Sequence, residues 1–190
     1  MKSFLPRAPV VGALAALAAA VPASLAAATF TARGPICEST ARVGSTTFYS
    51  CSGSTHTALD MSNQSCSEWN HRGMLLGSVK YTYHGGCANN CANPPPNTSC
   101  NGGAGNYYTV AGANGWDFRQ LHVNSNASSG TKTCDRCALG LVGSTGNSFG
   151  AHVHADNRQF GTRKSAWYTS VGTTCGSSAY CERVVGQPTL

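Results

Sequence analysis

Short stretches in which apolar and polar residues alternate run through most of the chain, and segments rich in glycine and asparagine separate them. They read STTFYS, LLGSVKYTYH, NYYTV, DFRQLHV and GAHVHAD, at residues 45–50, 75–84, 106–110, 117–123 and 150–156. A period of two is typical of strands with one buried face, and helical apolar periods are few. The pattern predicts an all-β fold, a small antiparallel sheet or barrel-like domain with long loops.

The longest of these loops covers residues 85–106, GGCANNCANPPPNTSCNGGAGN. Consecutive prolines exclude the interior of a helix or a central strand, because proline lacks the backbone N–H. Three cysteines lie within the segment. We therefore expect a long surface loop that disulfides hold in place.

The first residues have the pattern of a secretory leader. Lys2 and Arg7 precede an apolar run that reaches about Val21, and small residues follow it. Such a run is short for a membrane span and typical of a signal peptide. We expect residues 1–28 to be removed. Residues 29–190 would form one secreted domain, with a core at about 45–162 and a cysteine-containing tail at 163–190.

All ten cysteines lie after this leader. An even number in an exported chain predicts a disulfide framework of up to five bridges, whose pairing the spacing does not reveal. The pairs Cys134/Cys137 and Cys87/Cys91 also allow a zinc knuckle. An oxidising compartment favours disulfides over thiolate ligands, so the framework is the preferred interpretation.

The charge balance gives little information about partners. The chain carries a formal +6, which falls to +4 when Lys2 and Arg7 leave with the leader. Runs of lysine and arginine are absent from the sequence, so we expect no nucleic-acid partner, and we expect no membrane association of the mature form. A mild positive charge favours approach to an anionic polymer such as a bacterial wall.

Three histidine motifs stand out. In an extended strand, residues two apart share a face, so His152, His154 and Asp156 would project together. Two further fragments are HTALD, with His56 four residues before Asp60, and QLHV, with His122 between two apolar residues. Alternation would bury those apolar neighbours and turn the His122 imidazole to the other face. Each motif alone is weak, since surface strands and turns also produce such spacings.

Together, in this order, the motifs resemble those of the lysostaphin-type zinc metallopeptidases. The clearest match is GSTGNSFGAHVH, residues 143–154, and the resemblance spans about residues 53–160. It implies one zinc ion per chain bound by His56, Asp60 and His154. The remaining motif histidines, His122 and His152, would be the catalytic pair. The implied activity is endopeptidase cleavage of peptidoglycan or glycine-rich peptides, by a monomer.

The chemistry of this residue set agrees with such a site. Two histidines and one carboxylate leave a tetrahedral Zn²⁺ with an open position for water, as in catalytic sites. The sequence has no HExxH motif, so a neighbouring glutamate is not offered as general base. One of His122 and His152 would take the proton from water, and the other would stabilise the oxyanion or protonate the leaving amine. The sequence leaves open which does which.

Several residues depart from the family pattern or fall outside the motifs. Ala58 stands where the family has glycine, Gln120 where it often has tyrosine, and Val123 where it has leucine; these put substrate preference in doubt. Asp156 would orient a ligand imidazole or be a simple surface acid. The histidines outside the motifs, His71 and His84, are expected on the surface or in loops.

Two other functions remain open at this stage. Relatives that keep the metal but lose a catalytic histidine would be non-catalytic secreted zinc-containing binding proteins. Retention of both His122 and His152 favours an enzyme over this alternative. A disulfide-rich structural protein is the third possibility, and it would need three ordered motifs by coincidence.

Overall fold

The computed structural model describes residues 25–44, 56–62, 66, 70–88, 91, 97–124, 130–168, 176 and 181–190. The strand expected at 45–50, most of the leader, Cys51 and Cys175 lie outside the described residues. Twelve strands occur in the described part, in chain order β1 Ala32–Arg33, β2 Arg42–Val43, β3 Leu59–Ser62, β4 Asn70–Arg72, β5 Val79–His84, β6 Asn106–Ala111, β7 Trp116–Val123, β8 Thr131–Cys134, β9 Ala138–Leu141, β10 Val153–Gln159, β11 Thr162–Arg163 and β12 Val184–Gly186. Two short 3₁₀ helices cover Cys100–Gly103 and Ser165–Trp167.

Eight of these strands form one sheet in the order β2-β3-β10-β7-β6-β5-β8, with β11 added to the end of β10. All of its pairings are antiparallel. The sheet stays open, since β2 and β8 do not pair with each other among the described residues. The prediction of an all-β antiparallel fold is therefore confirmed, in its open form.

Alternation along the strands places the core on one face of this sheet. Met61, Tyr108, Phe118 and Val153 are almost completely buried there. Two small sheets, β1-β12 and β4-β9, add to the apolar core. The segment between β1 and β2 contributes Ile36 and other buried side chains to it. Burial of this kind is the main stabilising contribution in a domain of this size.

All eight described cysteines are joined in disulfides. The pairs are Cys37–Cys181, Cys66–Cys91, Cys87–Cys100 and Cys134–Cys137. The zinc-knuckle alternative is wrong for this fold, because none of these thiols is free to bind a metal. The expected attachment of loop 85–106 by disulfides is confirmed, and Cys181 joins the tail to the segment before β2. Within the described residues, no helix has the length and apolar character needed to cross a membrane.

Candidate active site

The three motifs meet in one groove. His154 lies on β10 directly opposite Asp60 on β3, and it also faces Leu121 on β7. His56 precedes β3, and His152 precedes β10. The central position of β10 in the sheet is thus what brings residues that are 94 apart in sequence into contact.

The predicted ligand set is compact. The Asp60 carboxylate lies 2.9 Å from Nδ1 of His154 and 3.2 Å from Nε2 of His56. The potential ligand atoms of His56, Asp60 and His154 all lie within 4.8 Å of one another. Asp60 Oδ2 is buried and accepts no hydrogen bond among the described residues, although it lies 3.2 Å from His56 Nε2. A buried carboxylate oxygen that accepts no hydrogen bond is costly, and a cation between the three side chains would remove that cost.

A second set shares one member with the first. His122, His152 and His154 also bring one ring nitrogen each within 4.8 Å. Both nitrogen-only and mixed nitrogen and oxygen sets suit zinc. The structure therefore brings all five sequence-predicted residues together, with His154 common to the two sets.

The hydrogen bonds of His122 and His152 define their neutral tautomers. Nδ1 of His122 lies 2.7 Å from the carbonyl of Thr145, and Nδ1 of His152 lies 2.8 Å from the carbonyl of Gly150. A carbonyl only accepts, so each Nδ1 carries the proton and donates it. In both imidazoles the lone pair is then on Nε2. For His152 this atom is 3.6 Å from Asp60 Oδ1.

Burial keeps these imidazoles uncharged. It lowers the pKa of His122 well below its ordinary value, and the neighbouring His152 and His154 add to the effect. Burial also lowers the pKa of His152, against the opposing influence of Asp60. For Asp60, burial raises the pKa, but the surrounding histidines outweigh it and hold the pKa far below its usual range. The groove thus contains two neutral bases beside an ionised carboxylate.

A β-bulge explains how His122 reaches the groove. Asn106 pairs with Val123 and Tyr108 with Gln120, so one residue of β6 faces two of β7, Leu121 and His122. His122 has a φ of 64°, an unusual value for a residue other than glycine. Bulges redirect side chains near active sites. Strict alternation predicted opposite faces for Leu121 and His122; in the structure both line the groove.

The loop at residues 143–150 positions His122 from outside the sheet. Besides accepting from the imidazole, Thr145 donates its hydroxyl to the carbonyl of Val123 and accepts from the backbone of Asn106. Gly146 has a φ of 77°, and a Cβ there would collide with the backbone of Gly105. Glycine is required at this close approach. The closest motif match in the sequence is therefore the segment that holds His122 in place.

Asp156 is neither a surface acid nor a simple partner of one imidazole. It is completely buried, and Oδ2 lies 3.8 Å from Nε2 of His154. Arg119 binds both of its oxygens, at 2.8 and 2.7 Å, while Arg158 and Arg163 approach Oδ2 at 3.2 and 2.9 Å. Of the two alternatives for Asp156, the surface acid is wrong, because the carboxylate is completely buried. Asp156 lies between His154 and a cluster of three arginines, Arg119, Arg158 and Arg163, hereafter the arginine cluster.

The groove has a volume of about 420 Å³. Its walls combine the site histidines, the arginine cluster, a nearly side-chain-free rim from loop 85–106 and the half-exposed Phe149. The described lining residues are His56, Gly102, Gly103, Ala104, Arg119, Leu121, His122, Asn147, Phe149, His152, His154, Arg158 and Arg163. The sequence motifs did not predict the arginine cluster. The period of two that continues after HVH could have indicated it, because Asp156 and Arg158 follow His154 at intervals of two and so share its face.

The structure also locates His71, His84 and Gln120. The expectation for His71 is wrong, because it is completely buried in β4 and not on the surface. His84 lies at the end of β5, half-buried against the Tyr107 ring, so it is partly at the surface and not in a loop. Gln120 faces the core and makes no contribution to the groove lining, so its difference from the family tyrosine does not bear directly on substrate contacts.

The comparisons with known proteins add little to this geometry. The chain matches no protein-family model, and no curated protein matches it. Among solved structures, a zinc-containing peptidase from Vibrio cholerae is similar at 16% identity and a TM-score of 0.39. The match covers 70% of this chain and 37% of that one. A likeness this distant carries no functional argument.

Proposed function

We propose that this protein is a secreted, monomeric zinc metalloendopeptidase that cleaves peptides of bacterial peptidoglycan. One observation carries the proposal: a single groove contains a three-donor metal set and two neutral histidines outside that set. A binding protein needs the first feature only. The motif resemblance supports the substrate class, and the disulfides together with the leader pattern support secretion.

His56, Asp60 and His154 would hold the metal. The set offers two ring nitrogens and one carboxylate, and the buried Asp60 Oδ2 makes no hydrogen bond, which fits a cation held there. When bound, zinc would lower the pKa of a water molecule to about 7 and polarise the scissile carbonyl. Nδ1 of His154 faces Asp60, and the charge of Asp156, 3.8 Å from Nε2, would favour this orientation of the imidazole.

His122 and His152 would handle the protons. Each donates Nδ1–H to a backbone carbonyl and has an unprotonated Nε2 at neutral pH. Either can therefore accept a proton from the attacking water, and the resulting imidazolium can then return it to the leaving amine. Their rings are 4.7 Å apart, so one substrate carbonyl can contact both.

The shape of the groove suits an extended peptide with small residues. On one side, Gly102, Gly103 and Ala104 present almost no side-chain bulk. Loop 85–106 forms this wall, and the Cys87–Cys100 disulfide anchors it. A low wall admits glycine-rich peptides, which agrees with the substrates that the resemblance implies.

The decisive experiment measures metal and products together. Purified protein should contain one zinc per chain and release defined peptides from bacterial walls, identified by mass spectrometry. His154→Ala should lose the metal, whereas His152→Ala should keep it and lose the lytic activity. His84→Ala, outside the groove lining, is the matched control and should behave like the wild type. Stoichiometric zinc in His154→Ala, or unchanged lysis by His152→Ala, would refute the assigned roles.

A further inference from the structure

The arginine cluster lies on the face of the sheet that carries the candidate metal site. Arg119 on β7 pairs in register with Asp156 on β10, and Arg163 on β11 pairs with Arg158. Arg158 is four residues beyond His154, so alternation gives both side chains the same face. All three guanidinium groups therefore converge on one completely buried carboxylate, Asp156.

The positive charge of the cluster exceeds the negative charge near it. Asp117, directly opposite Arg158 in the sheet, is the second nearby carboxylate. Asp60, the other ionised carboxylate near the groove, faces the histidines of the candidate metal set and not the arginines. Three guanidinium groups facing Asp156 and Asp117 therefore leave one positive charge at the cluster, and none of the described residues that line the groove is acidic. A surplus cation in a partly enclosed groove is favourable only if it meets an anion or water.

The unused donors face the groove. Side-chain exposure rises from 13% for Arg119 to 22% for Arg158 and 37% for Arg163. Arg119 donates two N–H groups to Asp156, which fix its position, whereas Arg163 contacts Asp156 through Nε only. A guanidinium has five N–H donors, so Arg163 still offers its two terminal nitrogens. Arg158 contacts Asp156 through Nε and the carbonyl of Gly161 through Nη1, so Arg163 keeps the most unused donors of the three.

The cluster is also close to the proposed reaction centre. The His154 imidazole faces Asp60 through Nδ1 and Asp156 through Nε2, so this one ring separates the candidate metal position from the cluster. An extended peptide advances about 3.3 Å per residue. A group held by Arg158 or Arg163 would therefore belong to a substrate residue near the scissile bond.

We propose that the arginine cluster is a carboxylate-binding subsite that selects peptides with a free carboxylate near the cleaved bond. This inference rests on the proposed peptidase function and adds the substrate class. Guanidinium groups bind carboxylates through paired, charge-assisted hydrogen bonds, which are about twice as strong as neutral ones. The carboxylate can be the terminus of a short peptide or an acidic side chain.

Matched peptides test the proposal and separate these two sources. One pair differs only in a C-terminal carboxylate or amide, and a second pair only in Glu or Gln beside the bond. We expect the zinc-loaded wild type to favour the charged member of at least one pair by about 10-fold in kcat/KM. Arg163→Gln and Arg158→Gln should reduce that preference below about 3-fold. Arg183→Gln, an exposed residue outside the groove lining, should preserve it.

A binding measurement distinguishes failure of the subsite from failure of the peptidase. Succinate, titrated by NMR, should bind the wild type and Arg183→Gln but bind Arg163→Gln several-fold more weakly, while succinamide should bind none of them. Arginine-dependent succinate binding without cleavage of any peptide would leave the subsite intact and refute the enzyme. Equal cleavage of charged and neutral peptides would overturn the subsite, as would succinate binding lost in His154→Ala but retained in Arg163→Gln.

Discussion

Lowering the pH from 7 to 4.5 should reduce the free energy of unfolding by about 2.5 kcal/mol through His71 alone. This residue is completely buried in β4. Burial lowers the pKa of its imidazole from 6.5 to about 3. Between these two pH values the unfolded chain binds a proton that the folded protein does not. Stability is therefore complete above pH 6.5 and falls as the pH drops towards 3.

Burial causes the folded protein to exclude the proton, and the hydrogen bonds around His71 add to this effect. The Gln120 side chain accepts from the backbone of Met74, so its amide nitrogen must donate, both to the carbonyl of Arg72 and to Nε2 of His71. Nε2 then holds a lone pair, and protonating it would place two donors against each other at 2.8 Å. The same Gln120 precedes the bulge of β7, so the buried network also supports the groove.

Urea unfolding between pH 4.5 and 7.5, with the disulfides intact, measures the effect. Over this range the free energy of unfolding of the wild type should fall by about 2.5 kcal/mol more than that of His71→Gln, because the variant has no imidazole at this position to titrate. Gln120→Met is the control, since it removes the hydrogen-bond partner and keeps the imidazole. It should be less stable at every pH and retain most of the pH dependence, which burial causes. The prediction would be wrong if the free energy of unfolding changed with pH equally in the wild type and in His71→Gln.

Three further predictions concern the groove. Replacing Cys87 and Cys100 together by serine should lower the free energy of unfolding by about 3 kcal/mol, since the bridge spans 13 residues; an unchanged urea midpoint would contradict this. Asp156→Asn should cost about 3 to 5 kcal/mol in the same assay, because it leaves Arg119 without its buried partner, and a stability equal to that of the wild type would exclude this role. Removing metal with a chelator should lower the melting temperature of the wild type but not of His154→Ala, measured by calorimetry; equal shifts in both would show that the metal lies elsewhere.

Comparison of particular elements shows where sequence reasoning succeeds. The period of two in DFRQLHV and in LLGSVKYTYH predicted strands that the structure contains as β7 and β5. The proline and cysteine content of 85–106 predicted a pinned loop, and the disulfides at Cys87 and Cys91 show it. These features depend on local sequence, because strand alternation and proline geometry act within a few residues.

Sequence patterns did not predict features that depend on contacts between distant segments of the chain. Nothing near His71 in the sequence shows that it is buried, because its cover comes from β7. Nothing near Asp156 shows that Arg119 and Arg163 converge on it, since that depends on the register of β10 with β7 and β11. Burial and strand register are properties of the assembled sheet, so these residues were placed wrongly or missed.

By itself, the sequence determined the all-β class, the disulfide-rich character and the candidate residues His56, Asp60, His122, His152 and His154, whose roles remain predictions. Only the tertiary structure decided that these residues share one groove, that a bulge turns His122 into it, and that three arginines surround Asp156 beside it. The physical reason is that motifs record which side chains are present. Their distances, charges and protonation depend on strand pairing between segments that are far apart in the chain.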